Sequence, residues 1–213
     1  MNVRDLYDGV ADRYDALVAR TRYVGPQWLE IQLEKRSGER LEATSILDLG
    51  CANGSNGTLL RRAFRSAFIH GIDISPEMTA QAVLRRHCYD LLQVADLNAL
   101  LPMISDRSHD LVVALGMIEF VADPVALLRD VARVLERGGR LLASFQEHWP
   151  ERPEDAPRET HSGEVVHHAY SMEEISSMLV ESGLEAQHRE SLIGYVSGTG
   201  FACPYVFVTA TRG

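Results

Sequence analysis

Residues Ile46–Leu60 read Ile-Leu-Asp-Leu-Gly-Cys-Ala-Asn-Gly-Ser-Asn-Gly-Thr-Leu-Leu, and this stretch decides the fold. The apolar run Ser45–Leu49 has strand character, Gly50, Gly54 and Gly57 punctuate a turn, and Thr58–Phe64 has helical spacing. Glycine lets a backbone turn sharply and approach a ligand closely, so a strand, a glycine turn and a helix N-terminus in succession form a ligand-binding edge. In open α/β sheets nucleotide-like ligands bind at that edge. Asp48, at the end of the strand, is the only charge in the stretch.

The spacing separates the nucleotide classes. A dinucleotide fingerprint reads G-x-G-x-x-G, whereas this turn reads Asp48-x-Gly50-x-Ala52-Asn53-Gly54. A phosphate-cradling loop ends in Gly-Lys-Ser/Thr, and no Lys or Arg lies between Arg40 and Arg61. An acid without a nearby cation suits a ligand with a positive centre and no phosphate. S-adenosylmethionine, with its sulfonium and free amine, is such a ligand.

The next elements repeat the theme of an acid at a strand end. Ala67–Ile72 reads as a second strand and is followed by Asp73, an acid placed to accept hydrogen bonds from both ribose hydroxyls. Asp73 could instead only start a turn. Ser75 and Pro76 already supply a cap and a first helical residue, so Asp73 is spare for a ligand. Pro76–Cys88 reads as a helix and Leu91–Ala95 as a third strand. Asp96 then stands either in an ordinary turn or against an adenine amine, with the Leu97 backbone nitrogen near the ring. Asp110–Gly116 is a near-continuous apolar strand of the kind buried on both faces. Residues 117–123 follow its carboxyl end and should line the pocket. Glu119 there is a substrate contact, a support or a solvated loop acid. Pro124–Leu135 is an amphipathic helix, and residues 136–140 turn into the strand Leu141–Phe145.

Taken together, Asp48–Gly54, the run Gly71-Ile-Asp-Ile-Ser-Pro-Glu-Met and the strand–helix–Gly-Gly–strand unit resemble the class I S-adenosylmethionine-dependent methyltransferases. The resemblance covers Tyr7–Val208 and is strongest over Ile46–Phe145. It implies a three-layer αβα Rossmann-like sheet of seven strands, mostly parallel with an antiparallel terminal strand. It implies S-adenosylmethionine as cofactor, S-adenosylhomocysteine as product, and in-line methyl transfer to an oxygen, nitrogen or carbon of a small-molecule acceptor. The cofactor residues it implies are Tyr14, Asp48, Gly50, Ala52, Asn53, Gly54, Asp73, Ile74, Met78, Asp96, Leu97 and Leu115, with Ile74 and Met78 flanking the adenine. Ala52 departs from the pattern, since many members carry glycine there; alanine permits the turn if its φ is negative.

The ends of the chain frame this core. Residues 5–19 read as one helix, with Leu6, Val10, Arg13, Tyr14 and Leu17 at helical spacing. Tyr7 and Tyr14 share a face that either packs the helix down or covers the cofactor. Tyr14 is the stronger candidate for the covering role. Trp28–Arg36 is a second helix. Residues 1–213 are expected to form one domain: a helical lid (1–40), a cofactor core (41–145), an irregular substrate-side segment (146–170) and a helix with a strand pair (171–213). The irregular segment carries three prolines and four histidines, with no metal-ligand spacing. If the nucleophile has a proton to lose, His148 and then His168 are the candidate bases, while Met117, Glu119, Trp149 and Tyr170 are expected on the substrate side. Ser171–Ser182 is a helix opened by a capping box. Leu184–Leu192 and Tyr205–Thr211 read as an antiparallel pair.

Composition limits the partners. The chain has 213 residues, 46% hydrophobic and 24% charged, with a formal net charge of −9, a balance that argues against a nucleic-acid backbone as partner. Three cysteines without C-x-x-C spacing point to a reducing compartment and to neither a disulfide framework nor zinc. The N-terminus lacks a secretory apolar region, and Leu111–Ile118 is too short to span a bilayer. A cytoplasmic protein without a membrane partner is therefore expected. Three rivals stay open: an NAD-dependent oxidoreductase, a catalytically silent cofactor-binding partner or regulatory module, and an enzyme using the same pocket for another reaction.

Overall fold

The structure, a computed structural model, describes residues 2–34, 42–85, 87–148, 159–162, 164–198 and 200–213. Its centre is β1 (Ser45–Leu49), which pairs in parallel with β2 (Phe68–Asp73) on one side and β4 (His109–Ala114) on the other. Beyond them lie β3 (Leu91–Val94), β5 (Leu135–Gln146), β9 (Ala202–Arg212) and β8 (Leu184–Val196), giving the order β3-β2-β1-β4-β5-β9-β8. The first five strands are parallel, and β9 runs antiparallel to both neighbours. A separate hairpin joins β6 (Glu159–Ser162) to β7 (Val165–His168). The chain winds outward from β1 to β3 and then returns to start β4 on the far side of β1. That reversal opens a crevice at the carboxyl ends of β1 and β4, the place where such sheets bind ligands.

Alternation along the strands builds two cores. Leu47, Leu49, Val112 and Ala114 face Leu128 and Val131 of α7 (Pro124–Val134) and Ile175 and Leu179 of α8 (Met172–Glu181). Ile46, Leu111 and Val113 face the other way, onto Trp28 and Leu29 of α3 (Gly25–Glu34) and Leu60 of α4 (Ser55–Ala63). Both faces of the central strands are thus covered, which is why they read as unbroken apolar runs and not as alternating ones. Helix starts follow local chemistry. Ser75 Oγ accepts from Met78 N at 3.0 Å to open α5 (Pro76–Leu84), with proline at its first turn. Ser171 and Glu174 form the expected capping box at α8.

The structure departs from the sequence reading in several places. The helix expected over residues 5–19 is broken. The segment α1 (Val3–Asp8) ends at Gly9, a short 3-10 turn covers Ala11–Arg13, and α2 (Tyr14–Thr21) follows. The break turns Tyr7 and Tyr14 edge to face with centroids 6.2 Å apart. Helix α5 stops at Leu84 and does not reach Cys88, because Arg85 leaves helical geometry and donates from Nε to Asn53 O at 2.6 Å. Strand β5 begins at Leu135, taking in residues expected as a turn, with its register against β4 shifted between His109 and Leu111. Part of the segment expected to be irregular pairs as β6–β7, and Glu147 bridges Tyr170 beside it. Among the described residues no helix is long and apolar enough to cross a membrane.

Candidate functional site

The glycine turn owes its shape to backbone conformations that side chains resist. Gly50, Ala52 and Gly54 have φ of 66°, 45° and 82°. A Cβ at Gly50 would lie 2.8 Å from Met117 Cβ, so this glycine lets the ends of β1 and β4 meet. The negative φ on which alanine would be tolerated at position 52 is not found. An L-residue held in this region costs roughly 1–2 kcal/mol, and a hydrogen bond compensates: Ala52 N donates to Asp73 Oδ2 at 2.8 Å. Asp73 Oδ1 accepts from Ser75 N at 2.9 Å. Asp73 is therefore already in use as the clamp of the turn, although each carboxylate oxygen keeps capacity for a further donor. Burial raises its pKa, and the two amides work against that rise.

Around this clamp lies a cavity of about 250 Å³. One wall is built from strand ends in order: Gly50 and Ala52 after β1, Asp73 at the end of β2 with Ile74 after it, and Asp96 and Leu97 after β3. Asp96 also caps α6 (Leu97–Leu100), accepting from Asn98 N at 2.9 Å. The opposite wall is Leu115, Gly116, Met117, Phe120 and Val121, and Val3, Tyr7 and Tyr14 cover it from the N-terminal helices. No Lys or Arg is among the lining residues. Two acids at neighbouring strand ends, the apolar Ile74 and Leu97, and no phosphate-pairing cation fit an adenosine that carries no phosphate.

Nine sequence candidates meet here: Tyr14, Gly50, Ala52, Asp73, Ile74, Asp96, Leu97, Leu115 and Met117. Others stand outside the lining. Asp48 is fully buried behind the turn, accepts from Tyr89 Oη at 2.6 Å, and is pushed by burial to a pKa of about 7. Asn53 Nδ2 donates to Asp15 Oδ1 at 2.7 Å, Gly54 packs toward Ala82, and Met78 is wholly buried. His148 donates its backbone N–H to Tyr170 O at 2.9 Å, and His168 Nδ1 lies 3.4 Å from Glu159 Oε1. Trp149 lies outside the described residues. Phe120 and Val121 line the cavity as expected of residues 117–123, Tyr7 joins the stronger candidate Tyr14, and Val3, Asn98 and Gly116 line it without having been singled out for it. For Tyr7 the sequence signal existed, since it shares its spacing with Tyr14.

Polar contacts tie the N-terminal helices to the turn. Arg85 Nη2 reaches both carboxylate oxygens of Asp15 at 2.7 Å, and Asp15 also holds Asn53. Asp8 accepts from Ser75 Oγ, and Arg4 Nε donates to Ile74 O at 3.1 Å. Asp15 is largely exposed, so this pair is worth at most about 1 kcal/mol. Arg85→Ala should therefore raise amide exchange across α2 while costing no more than about fivefold in cofactor affinity. Unchanged exchange in α2 would show that the contact does not hold the helix.

Residues 47–143, which carry most of β1, all of β2 to β4, most of β5 and both cavity walls apart from the N-terminal cover, match the methyltransferase domain family. Over this core the chain is similar to methyltransferases. The chain is 28% identical over 192 residues to the malonyl-[acyl-carrier protein] O-methyltransferase of Hahella chejuensis, covering 89% of this chain and 66% of that one. It is 31% identical over 171 residues to the 27-O-demethylrifamycin SV methyltransferase of Amycolatopsis mediterranei, covering 76% and 60%. The chain thus spans less than two thirds of the length of these curated relatives. The crystal structure of the Burkholderia thailandensis 1,6-didemethyltoxoflavin-N1-methyltransferase, with S-adenosylhomocysteine bound, matches 96% of this chain and 85% of its own at a TM-score of 0.70 and 15% identity, which shows a shared fold. The residues lining this cavity fit S-adenosylmethionine.

Proposed function

We propose that the protein transfers a methyl group from S-adenosylmethionine to a small-molecule acceptor by in-line displacement. The observation that carries this reading is the clamp of Asp73 on the strained Ala52 turn, set in a covered cavity whose lining lacks a cation. When bound, the cofactor supplies a methyl group already activated on a sulfonium. Asp73 would accept from the ribose, Ile74 and Leu97 would flank the adenine, and Asp96 would take its amine. Tyr7, Tyr14 and Phe120 form an aromatic cover: Tyr7 meets Phe120 edge to face at 5.7 Å. The N-terminal segment that carries Val3, Tyr7 and Tyr14 acts in this reading as a lid, whose work is to exclude water and hold the acceptor in line. Apolar Met117, Phe120 and Val121 present the acceptor side and favour a compact, largely apolar molecule. Incubation with S-adenosylmethionine and a panel of such acceptors should yield S-adenosylhomocysteine and methylated product together by mass spectrometry. Cofactor binding with neither product across the panel would leave a silent module instead.

A further inference from the structure

Tyr89 stands between α5 and β3, outside the lining of the cavity. Its hydroxyl makes two hydrogen bonds at once: it donates to Asp48 Oδ2 at 2.6 Å and accepts from Gly57 N at 3.1 Å. Asp48 is the last residue but one of β1, and Gly57 lies in the first turn of α4. One phenol therefore ties the end of β1 to the start of α4, and the turn between them carries Gly50 and Ala52, which line the cavity. The N-cap of α4 is Gly54, which has no side chain to offer, and Tyr89 satisfies one of the helix's unpaired amides from 32 residues away.

Two glycines make room for the ring. A Cβ at Gly57 would lie 2.3 Å from Tyr89 Cζ, and one at Gly71 would lie 2.8 Å from Tyr89 Cε1. Gly71 pairs with Asp48 across β1 and β2, so the ring slots in beside the residue that its hydroxyl meets. Neither glycine has a positive φ, so space for the ring, and not backbone conformation, accounts for the missing side chains. Burial and then the Asp48 carboxyl raise the Tyr89 pKa well above its ordinary value, which keeps the phenol a donor. A phenylalanine would fill the same notch; what the tyrosine adds is the tie at both ends of the turn.

The turn is thereby held from two sides. Asp73 takes Ala52 N from the cavity side, and Tyr89 takes both ends from behind. With Asp73, Ile74, Asp96 and Leu97 at the adenosine, Gly50, Ala52 and the start of α4 remain for the amino-acid end of the ligand, whose carboxylate a helix N-terminus favours. We propose that Tyr89 is a positioning residue for S-adenosylmethionine: without touching the ligand, its hydroxyl fixes the turn that holds the amino-acid end. This rests on the cofactor reading above. Loss of the hydroxyl frees both ends of the turn, while Asp73 keeps its place through Ser75 N and the adenosine keeps its partners.

The test compares, by calorimetric titration, S-adenosylhomocysteine with methylthioadenosine, which has the same adenosine and thioether but no amino acid. Tyr89→Phe keeps the ring and removes the hydroxyl. It should weaken S-adenosylhomocysteine by about tenfold and methylthioadenosine by no more than about twofold. The Gly57 amide, left without its acceptor, should exchange faster with solvent by NMR. Gly71→Ala is a second route: it leaves the hydroxyl in place but drives the ring from its notch, and it should give the same split between the two ligands. Circular dichroism identifies the folded variants. A merely structural tyrosine would weaken both ligands alike. That result, unchanged S-adenosylhomocysteine affinity in Tyr89→Phe, unchanged exchange at Gly57, or failure of both variants to fold would overturn the proposal. Failure of the wild type to bind methylthioadenosine would overturn it too, since the adenosine end would then have no hold of its own. If the wild type does not bind S-adenosylhomocysteine, the cofactor reading itself fails, a separately readable outcome.

Discussion

Asp73→Ala weakens S-adenosylhomocysteine binding by about a hundredfold or more, with little loss of thermal stability. Two losses add. A carboxylate accepting from a ribose contributes roughly 1.5–3 kcal/mol, as hydrogen bonds to charged groups do. The second loss is the clamp: Ala52 N no longer has Asp73 Oδ2, and the turn can leave its φ of 45° for a cheaper conformation. Together they approach about 3 kcal/mol, which is about two powers of ten in affinity. Stability behaves differently because the carboxyl is itself costly to bury, as its raised pKa records. Its removal therefore offsets part of what the lost hydrogen bonds contributed. Calorimetric titration beside a thermal melt separates the two effects. A loss below about threefold in affinity would mean that Asp73 neither holds the turn nor meets the ligand.

Gly50→Ala should abolish measurable cofactor binding and lower the melting temperature by several degrees. The new Cβ would stand 2.8 Å from Met117 Cβ and 3.0 Å from Met117 Cγ, at the point where β1 and β4 meet. Overpacking of this kind costs about 1–3 kcal/mol, and the left-handed φ of 66° adds roughly 1–2 kcal/mol. Relief requires moving Met117 into the cavity that it lines. Gly138→Ala is the matched control, since its φ is 73° but nothing lies within 4 Å of the added carbon. It should show the backbone cost alone and bind cofactor normally. Normal binding by Gly50→Ala would contradict the close approach of the two strands.

Much of the fold was legible because its signals are local. The apolar runs of β1 and β4, the cap at Ser75 and the capping box at Ser171 each rest on a few adjacent residues. Asp73, which ends β2, and Asp96, two residues past β3, could be read the same way. What escaped depends on distant contacts. Asp48 looked like a ligand acid because it stands next to the glycine turn, yet Tyr89 Oη, 41 positions away, takes its carboxylate from behind. The break after α1 follows from tertiary anchors, Asp8 on Ser75 and Asp15 on Arg85, that helical spacing cannot reveal. Ala52 shows the same limit: its left-handed φ is tolerable only with Asp73, 21 residues on, as partner. Glu119 was visible as an acid in the right loop. Its burial and its hydrogen bond from Tyr205 Oη required β9 to be in place.

Calorimetric titration of the wild type with S-adenosylmethionine, S-adenosylhomocysteine and NAD tests the account most directly. Binding of both adenosyl ligands at micromolar concentrations, with NAD silent, is the predicted result. Binding of NAD, or of neither adenosyl ligand, would contradict it and leave the sheet and its cavity without their assigned cofactor.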